Sequence, residues 1–140
     1  MKETVMAFFE WKPEYNTNIR IIDEQHKKWI GYINQLYDAM KDGKTKQVLG
    51  GILDDLADYT NTHFATEEEL LTKHNYPLII GHKQIHANFV KQVKEYKAKF
   101  ESGNTMMVVE MSKNLKEWLN HHILDTDLKY APFLIEKGVK

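Results

Sequence analysis

The chain has 140 residues, of which 42% are hydrophobic and 11% aromatic, so it is long and apolar enough to bury a core and is not intrinsically disordered. Its formal net charge is −1 and Arg20 is its only arginine, which argues against the basic, arginine-rich surface of a nucleic-acid-binding protein. The absence of cysteine excludes disulfides, thiolate metal sites and a cysteine nucleophile.

No segment has the composition of a membrane span or of a secretion signal. No stretch approaches the ~20 consecutive apolar residues that a membrane helix needs. The N-terminal segment carries acidic residues and lacks the apolar run of a signal peptide. We therefore expect one soluble, cytoplasmic domain over residues 1–140, without membrane insertion.

The first part of the chain predicts an arm followed by a helix. Residues 1–22 have no helical pattern, so we expect an irregular N-terminal arm whose aromatic residues lie across the outside of the domain. From about residue 23 to 41, apolar residues recur at intervals of three and four, which predicts an amphipathic helix. Asp23 is its predicted N-cap, and Gly43 lies just beyond its predicted end.

Three more amphipathic segments follow, joined by short polar links. They predict helices over about 45–74, 78–101 and 105–130. Thr105 is the predicted N-cap of the last helix, and Pro132 is expected to mark its end. Four helices of this kind predict an all-α fold, an up-down-up-down antiparallel four-helix bundle.

Histidines and carboxylates occur at helical spacing on all four predicted helices. His63 and Glu67 are four residues apart, as are His82 and His86, so each pair lies on one face of its helix. The candidate ligands are His26 in the first helix, His63 and Glu67 in the second, His82 and His86 in the third, and His122 with Asp125 or Asp127 in the fourth. In an antiparallel bundle, all these positions lie at the same end.

Such a set of side chains at one level of a bundle indicates a metal centre, because burying carboxylates without a counterion is costly. One zinc ion takes four ligands, so seven protein ligands suit two metals that share the carboxylates. Imidazole together with carboxylate suits iron, copper, nickel or zinc, and composition alone does not choose among them.

Several motifs occur in a specific order along nearly the whole chain. They are Trp11, Ile22-Asp23-Glu24-Gln25-His26, His63-x3-Glu67, Tyr76-Pro77, His82-x3-His86-x2-Phe89 and Trp118-Leu119-x2-His122-Ile123-x3-Asp127-x2-Tyr130. In these motifs the chain resembles the hemerythrins, most closely the single-domain bacteriohemerythrins. The resemblance implies a single hemerythrin-like domain with two non-haem iron ions joined by an oxo or hydroxo bridge.

The resemblance also implies which residues bind the iron ions. One iron would be bound by His82, His86 and His122, the other by His26 and His63, with Glu67 and Asp127 bridging the two. The second iron then has one protein ligand fewer, and its open position is where dioxygen binds in the family.

Spacing and resemblance differ over the last ligand. On a regular helix Asp125 shares a face with His122, whereas Asp127 lies about 140° away from it. Geometry therefore favours Asp125, and the family pattern favours Asp127. We follow the family and predict a local irregularity, such as a π-bulge, between residues 122 and 127.

Two histidines are expected away from the centre. His74 lies ~10 Å along the helix from Glu67, too far to bind the same ion, and suits the C-terminus of its helix. His121 points about 100° away from His122 and is expected at the surface.

The resemblance implies reversible dioxygen binding, for storage or delivery, by a protein that is not an enzyme. We expect a monomer, with an oxygen-consuming enzyme as a recipient. The alternatives are a di-iron enzyme of peroxidase, oxidase or nitric oxide reductase type, and an oxygen or iron sensor. Ferritin-like di-iron enzymes carry Glu-x-x-His pairs, and this sequence has none. That argues against ferritin-type oxygen activation and remains compatible with weak peroxidase activity. A sensor is disfavoured because 140 residues leave no room for an output domain.

Overall fold

Apolar residues at helical spacing fold this chain into the predicted antiparallel four-helix bundle. The computed structural model describes residues 7–103 and 107–140. Its helices are α1 (Arg20–Lys41), α2 (Lys46–Lys73), α3 (Ile79–Glu101) and α4 (Met107–His121), which continues through a π-helical segment (His122–Asp127) into α5 (Leu128–Glu136). Helix α1 packs against α2 and α4, and α2 packs against α3. Within the described ranges, no helix is long and apolar enough to cross a membrane.

Helix α1 begins at Arg20, earlier than the predicted start at about residue 23. The prediction that Asp23 is the N-cap is wrong, because the N-cap position is occupied by Ile19, which is fully buried. The Asp23 carboxylate instead accepts hydrogen bonds from the Thr17 backbone N–H at 2.9 Å and from the Thr17 hydroxyl at 2.7 Å. These bonds tie the end of the arm to the first turns of the helix.

The other ends of α1, α2 and α3 lie within about a residue of the predicted ones, and the last helix ends later than predicted. The predicted N-cap Thr105 lies outside the described residues. The helix continues past residue 130 to Glu136, with Pro132 inside it. Proline removes a single helical hydrogen bond, here the one to the carbonyl of Leu128. Because Leu134 is fully buried, packing of this last turn offsets that loss.

The N-terminal arm is part of the core rather than a layer outside it. Phe9 and Tyr15 are only 2% and 1% exposed. The Asn34 side chain on α1 accepts a hydrogen bond from the Phe9 N–H at 2.7 Å and donates one to the Phe9 carbonyl at 2.8 Å. The Tyr15 hydroxyl is hydrogen-bonded to Asn120 on α4. The arm therefore closes the groove between these two helices.

The buried apolar residues form two clusters with a polar layer between them. On α1, Ile22 belongs to a smaller cluster near the N-terminal end of the helix, and Trp29 belongs to the main core. His26 lies between them in sequence. On α2, Phe64 and Leu71 likewise belong to the two different clusters. The helices thus carry a set of buried polar side chains between two apolar layers.

Candidate metal centre

The polar layer consists of the seven side chains whose spacing and family pattern predicted a metal centre. Every helix of the bundle contributes to it, and each of these residues is at most 4% exposed. They are His26, His63, Glu67, His82, His86, His122 and Asp127. Burial of so many polar groups at one level needs a compensating partner, because each loses its hydration.

The ligand atoms of these residues form two groups that share a carboxylate. In each group, one ligand atom per residue lies within 4.8 Å of all the others. One group is Glu67, His82, His86 and His122, and the other is His26, His63, Glu67 and Asp127. Glu67 belongs to both groups, so two metal positions would be neighbours.

The two oxygens of Glu67 face different histidines. Oε1 makes a close contact with His82 Nε2 and lies 3.4 Å from His86 Nε2 and 4.0 Å from His122 Nε2. Oε2 lies 2.7 Å from His63 Nε2 and 4.0 Å from His26 Nε2. The carboxylate is therefore oriented to join the two groups.

Asp127 divides its oxygens in the same way. Oδ2 lies 2.9 Å from His26 Nε2. Oδ1 lies 3.1 Å from His122 Nε2 and 3.8 Å from His82 Nε2. Each carboxylate thus contributes one oxygen to each set of histidines, as a bridging ligand must.

The π-helical segment is what brings Asp127 to this position, and it confirms the predicted irregularity between residues 122 and 127. The backbone N–H of Leu128 bonds to the carbonyl of Ile123, five residues earlier. This wider turn brings residues five apart towards one side of the helix. Asp125 is the alternative that a regular helix would favour. Its side chain is 55% exposed, and its Oδ2 lies 3.5 Å from Nε2 of His121 at the surface.

The buried polar atoms fit a metal centre. Those without a hydrogen-bond partner include Nε2 of His26, His63, His86 and His122, Oε2 of Glu67, and both carboxylate oxygens of Asp127. Unpaired buried atoms are costly and rare in folded proteins. His63 Nε2 and Glu67 Oε2 lie 2.7 Å apart without forming a hydrogen bond, as two ligands of one ion would. Imidazole nitrogens with carboxylate oxygens are a donor set that suits iron.

Burial and neighbouring groups move the pKa values of the buried carboxylates and histidines in different directions. Burial alone raises the pKa of Glu67, but the charge of His63 and the hydrogen bond with His82 outweigh it and hold that pKa well below its ordinary value. Burial and the charge of Glu67 raise the pKa of Asp127 well above its ordinary value. Burial lowers the pKa of His122 to about 4, so its imidazole is neutral at pH 7. A metal would meet a neutral His122 imidazole, and would compete with a proton for Asp127.

Two residues to which the sequence analysis assigned no role contact the ligand histidines on the side away from the centre. Gln25 Oε1 accepts a hydrogen bond from His63 Nδ1 at 2.8 Å, and Glu68 Oε2 accepts one from His86 Nδ1 at 3.0 Å. Such partners orient the ring and leave Nε2 for a metal. Gln25 belongs to the motif around His26, whereas the signal for Glu68 was position alone, next to Glu67.

Aromatic rings line the inner side of the centre. Phe64 stacks on the His86 ring with centroids 3.7 Å apart, and Trp118 stacks on His122 at 4.4 Å. The Trp29 ring lies 5.2 Å from that of His63. These residues keep water from the centre and restrict the orientation of the imidazoles.

Tyr130 covers the other side of the centre. Its ring lies 5.6 Å from that of His82, and it is fully buried. Burial and then the charges of Asp127 and Glu67 raise the pKa of Tyr130 well above its ordinary value, so the hydroxyl keeps its proton. Its oxygen has no hydrogen-bond partner among the described residues.

His74 and His121, which were expected away from the centre, do lie outside it. His74 is the C-cap of α2, where its backbone N–H bonds to the Leu70 carbonyl at 3.2 Å. The His121 side chain is 78% exposed. Neither belongs to a group of candidate ligand atoms among the described residues.

Comparison with known proteins agrees with this geometry. The family model described as the hemerythrin HHE cation binding domain matches residues 17–134. The bacteriohemerythrin of Pseudomonas aeruginosa strain PAO1 is 38% identical over 126 residues, covering 90% of this chain and 81% of that protein. The bacteriohemerythrin of Methylococcus capsulatus strain Bath is 32% identical and covers 92% of this chain and 98% of that protein.

The structure of the bundle is also similar to a solved one. A crystal structure of wild-type hemerythrin superposes with a TM-score of 0.86 at 31% identity, covering 91% of this chain and 98% of that chain. The family match includes all seven buried side chains of the polar layer. The chain therefore belongs to the hemerythrin family, whose members hold a non-haem iron centre.

Proposed function

We propose that the seven side chains bind two iron ions, and that the protein binds dioxygen reversibly at this centre. The observation that carries the proposal is the division of the Glu67 and Asp127 oxygens between two sets of histidines. A single ion would need only one oxygen from each carboxylate. The names of the relatives, bacteriohemerythrin and myohemerythrin, support an oxygen-binding role.

The two iron positions would differ in their number of protein ligands. His82, His86 and His122 would bind one iron, and His26 and His63 would bind the other, with Glu67 and Asp127 bridging them. The iron with two histidines would have one protein ligand fewer, which would leave it a free coordination position. We assign dioxygen binding to that position.

The residues around the centre support binding rather than oxidative catalysis. Two ferrous ions would supply two electrons to dioxygen and recover them on its release. Buried Trp29 and Phe64 keep water away, which slows loss of the bound ligand as a reduced oxygen species. Five imidazoles against two carboxylates stabilise high-valent iron less well than the carboxylate-rich sites of ferritin-like enzymes. We therefore propose that the protein is not primarily an enzyme.

We further propose storage or delivery of oxygen by a monomer, with an oxygen-consuming enzyme as the recipient in the delivery role. A cytoplasmic location stays a prediction from the sequence.

Oxygen cycling of the iron-loaded protein tests the proposal. The protein is reduced anaerobically, exposed to oxygen and evacuated repeatedly while its visible spectrum is followed. We expect the oxygenated spectrum to appear and disappear over many cycles with little autoxidation. One irreversible oxidation in each cycle would contradict the proposal and favour an enzyme or a sensor.

A further inference from the structure

The partners of His63 and His86 have different charges. Both rings use Nδ1 to contact a side chain outside the ligand set, and both leave Nε2 towards the centre. The partner of His63 is the neutral amide of Gln25, and the partner of His86 is the carboxylate of Glu68. The two ends of the centre are therefore supported by chemically unequal groups.

The orientation of the Gln25 amide is fixed by its other contacts. The Thr66 hydroxyl donates to the Thr62 carbonyl at 3.1 Å, so its oxygen is available as an acceptor. Gln25 Nε2 donates to that oxygen at 3.2 Å, which turns Gln25 Oε1 towards His63. The amide oxygen can only accept, so His63 carries its proton on Nδ1. Gln25 thus selects the tautomer that leaves Nε2 free.

The Glu68 carboxylate acts on a ring that is equally well fixed. His86 is 2% exposed and is stacked on Phe64 with an angle of 5° between the rings. The Glu68 side chain is 28% exposed, so solvent screens part of its charge. Within the described part of the chain, its one ion-pair contact is with His86. Its charge is therefore directed at this ligand.

A charged acceptor and a neutral acceptor have different effects on a metal-bound imidazole. A carboxylate takes a larger share of the Nδ1 proton than an amide, because hydrogen bonds to ionised acceptors are stronger. The imidazole then becomes more basic and gives more electron density to its metal. A ferric ion gains more from this than a ferrous ion, because its charge is higher. The end with Glu68 should therefore favour the oxidised state.

We propose that Gln25 and Glu68 are positioning residues that make the two irons unequal in reduction potential. Glu68 stabilises the ferric state of the iron bound by His86. Gln25 fixes His63 without adding negative charge, so the iron with the free coordination position stays easier to reduce. The inference rests on the proposed function for the presence of two irons, and it adds a determinant of their redox properties.

Two isosteric substitutions test this inference on the iron-loaded protein. Glu68→Gln keeps an acceptor for His86 Nδ1 and removes the charge. We therefore expect a higher midpoint potential for the iron bound by His86. Gln25→Glu adds a negative charge beside His63. We therefore expect a lower midpoint potential for the iron bound by His63. The expected size is about tenfold in the ratio of reduced to oxidised iron at a fixed potential, which equals about 59 mV for a one-electron step.

A matched control separates this effect from a general change in charge. Glu69→Gln removes the same charge at the adjacent exposed position, and we expect its midpoint potential to equal that of the wild type. Equal potentials for Glu68→Gln and Glu69→Gln, with iron retained in both, would overturn the inference. If Glu68→Gln loses iron, the test depends on Gln25→Glu. An unchanged or higher midpoint potential in Gln25→Glu would then overturn the inference.

Iron content and oxygen cycling of the wild type are measured on the same preparations. Failure of the proposed function would be seen in the wild type, as missing iron or irreversible oxidation. Failure of the present inference would be seen only in the differences between variants. The two failures are therefore distinguishable.

Discussion

Glu67 and Asp127 lie opposite each other in the bundle, and each directs one oxygen to each set of histidines. Both side chains are fully buried, and their pKa values move in opposite directions. Burial and the charge of Glu67 favour a proton on Asp127 in the metal-free protein. Metal binding would replace that proton, which makes the pair the link between the two iron positions.

Asp127→Asn should remove a bridge and lower the iron content. An amide lacks the charge that two cations need, and it leaves a buried polar group beside His26. We expect iron per chain to fall to half of the wild-type value or less, measured by metal analysis after reconstitution. Asp125→Asn is the matched control, because that side chain is 55% exposed, and it should keep the full iron content. Loss of iron in Asp125→Asn but not in Asp127→Asn would show that Asp125 is the ligand.

The metal-free protein should lose stability as pH falls from about 6.5, because of His122. Its folded pKa is about 4, whereas an unfolded histidine has a pKa of about 6.5. Between these values the unfolded state binds more protons, so the free energy of unfolding falls as pH is lowered. We expect a loss of roughly 2–3 kcal/mol over this window from denaturant unfolding at several pH values.

His122→Leu is the control for this pH dependence, since it removes the titrating group. The variant should lose less stability than the wild type over the same window. Equal pH dependence in both proteins would mean that other groups, such as His26, control the effect.

Trp29→Ala should open a cavity beside the centre and destabilise the bundle. Trp29 is fully buried and meets Phe64 and Phe89 edge-on, with centroids 5.4 Å and 5.7 Å away. Truncation of a buried aromatic residue costs ~3–5 kcal/mol. Urea unfolding of the metal-free protein measures this loss. Trp11→Ala, in the partly exposed arm, should cost clearly less, and equal losses would show that Trp29 has no special place in the core.

Asn34→Ala should loosen the N-terminal arm. The side chain makes two hydrogen bonds with the Phe9 backbone, and their loss should cost roughly 1–3 kcal/mol. Limited chymotrypsin digestion should then cleave after Phe9, which is buried in the wild type, faster than in the wild type. Asn61→Ala, on the exposed surface of α2, provides the control. Unchanged cleavage in Asn34→Ala would indicate that the aromatic contacts of the arm hold it without these bonds.

The fold could be predicted from the sequence because the residue pattern that specifies it is local and recurs along the chain. Apolar residues at intervals of three and four define four helices, and positive-φ glycines such as Gly43 and Gly103 follow the ends of two of them. The start of α1 and the passage through Pro132 could not be predicted this way. Both depend on burial of neighbouring residues, Ile19 and Leu134, against parts of the chain distant in sequence.

Some of the ligands could be predicted from the sequence more directly than others. The pairs His63 with Glu67 and His82 with His86 follow from helical spacing alone. Asp127 required the family pattern, because its position depends on a π-helical segment that spacing on a regular helix does not predict. Gln25 and Glu68 required the structure, because their contacts run between helices rather than along one of them.

The most direct test of the central claim is the amount of dioxygen bound per iron. The reduced, iron-loaded protein is titrated with oxygen, and bound gas is measured against iron content before and after evacuation. The account predicts two irons per chain and one dioxygen bound for each pair, with the gas released on evacuation. One iron per chain, or oxygen consumed without being released, would contradict it.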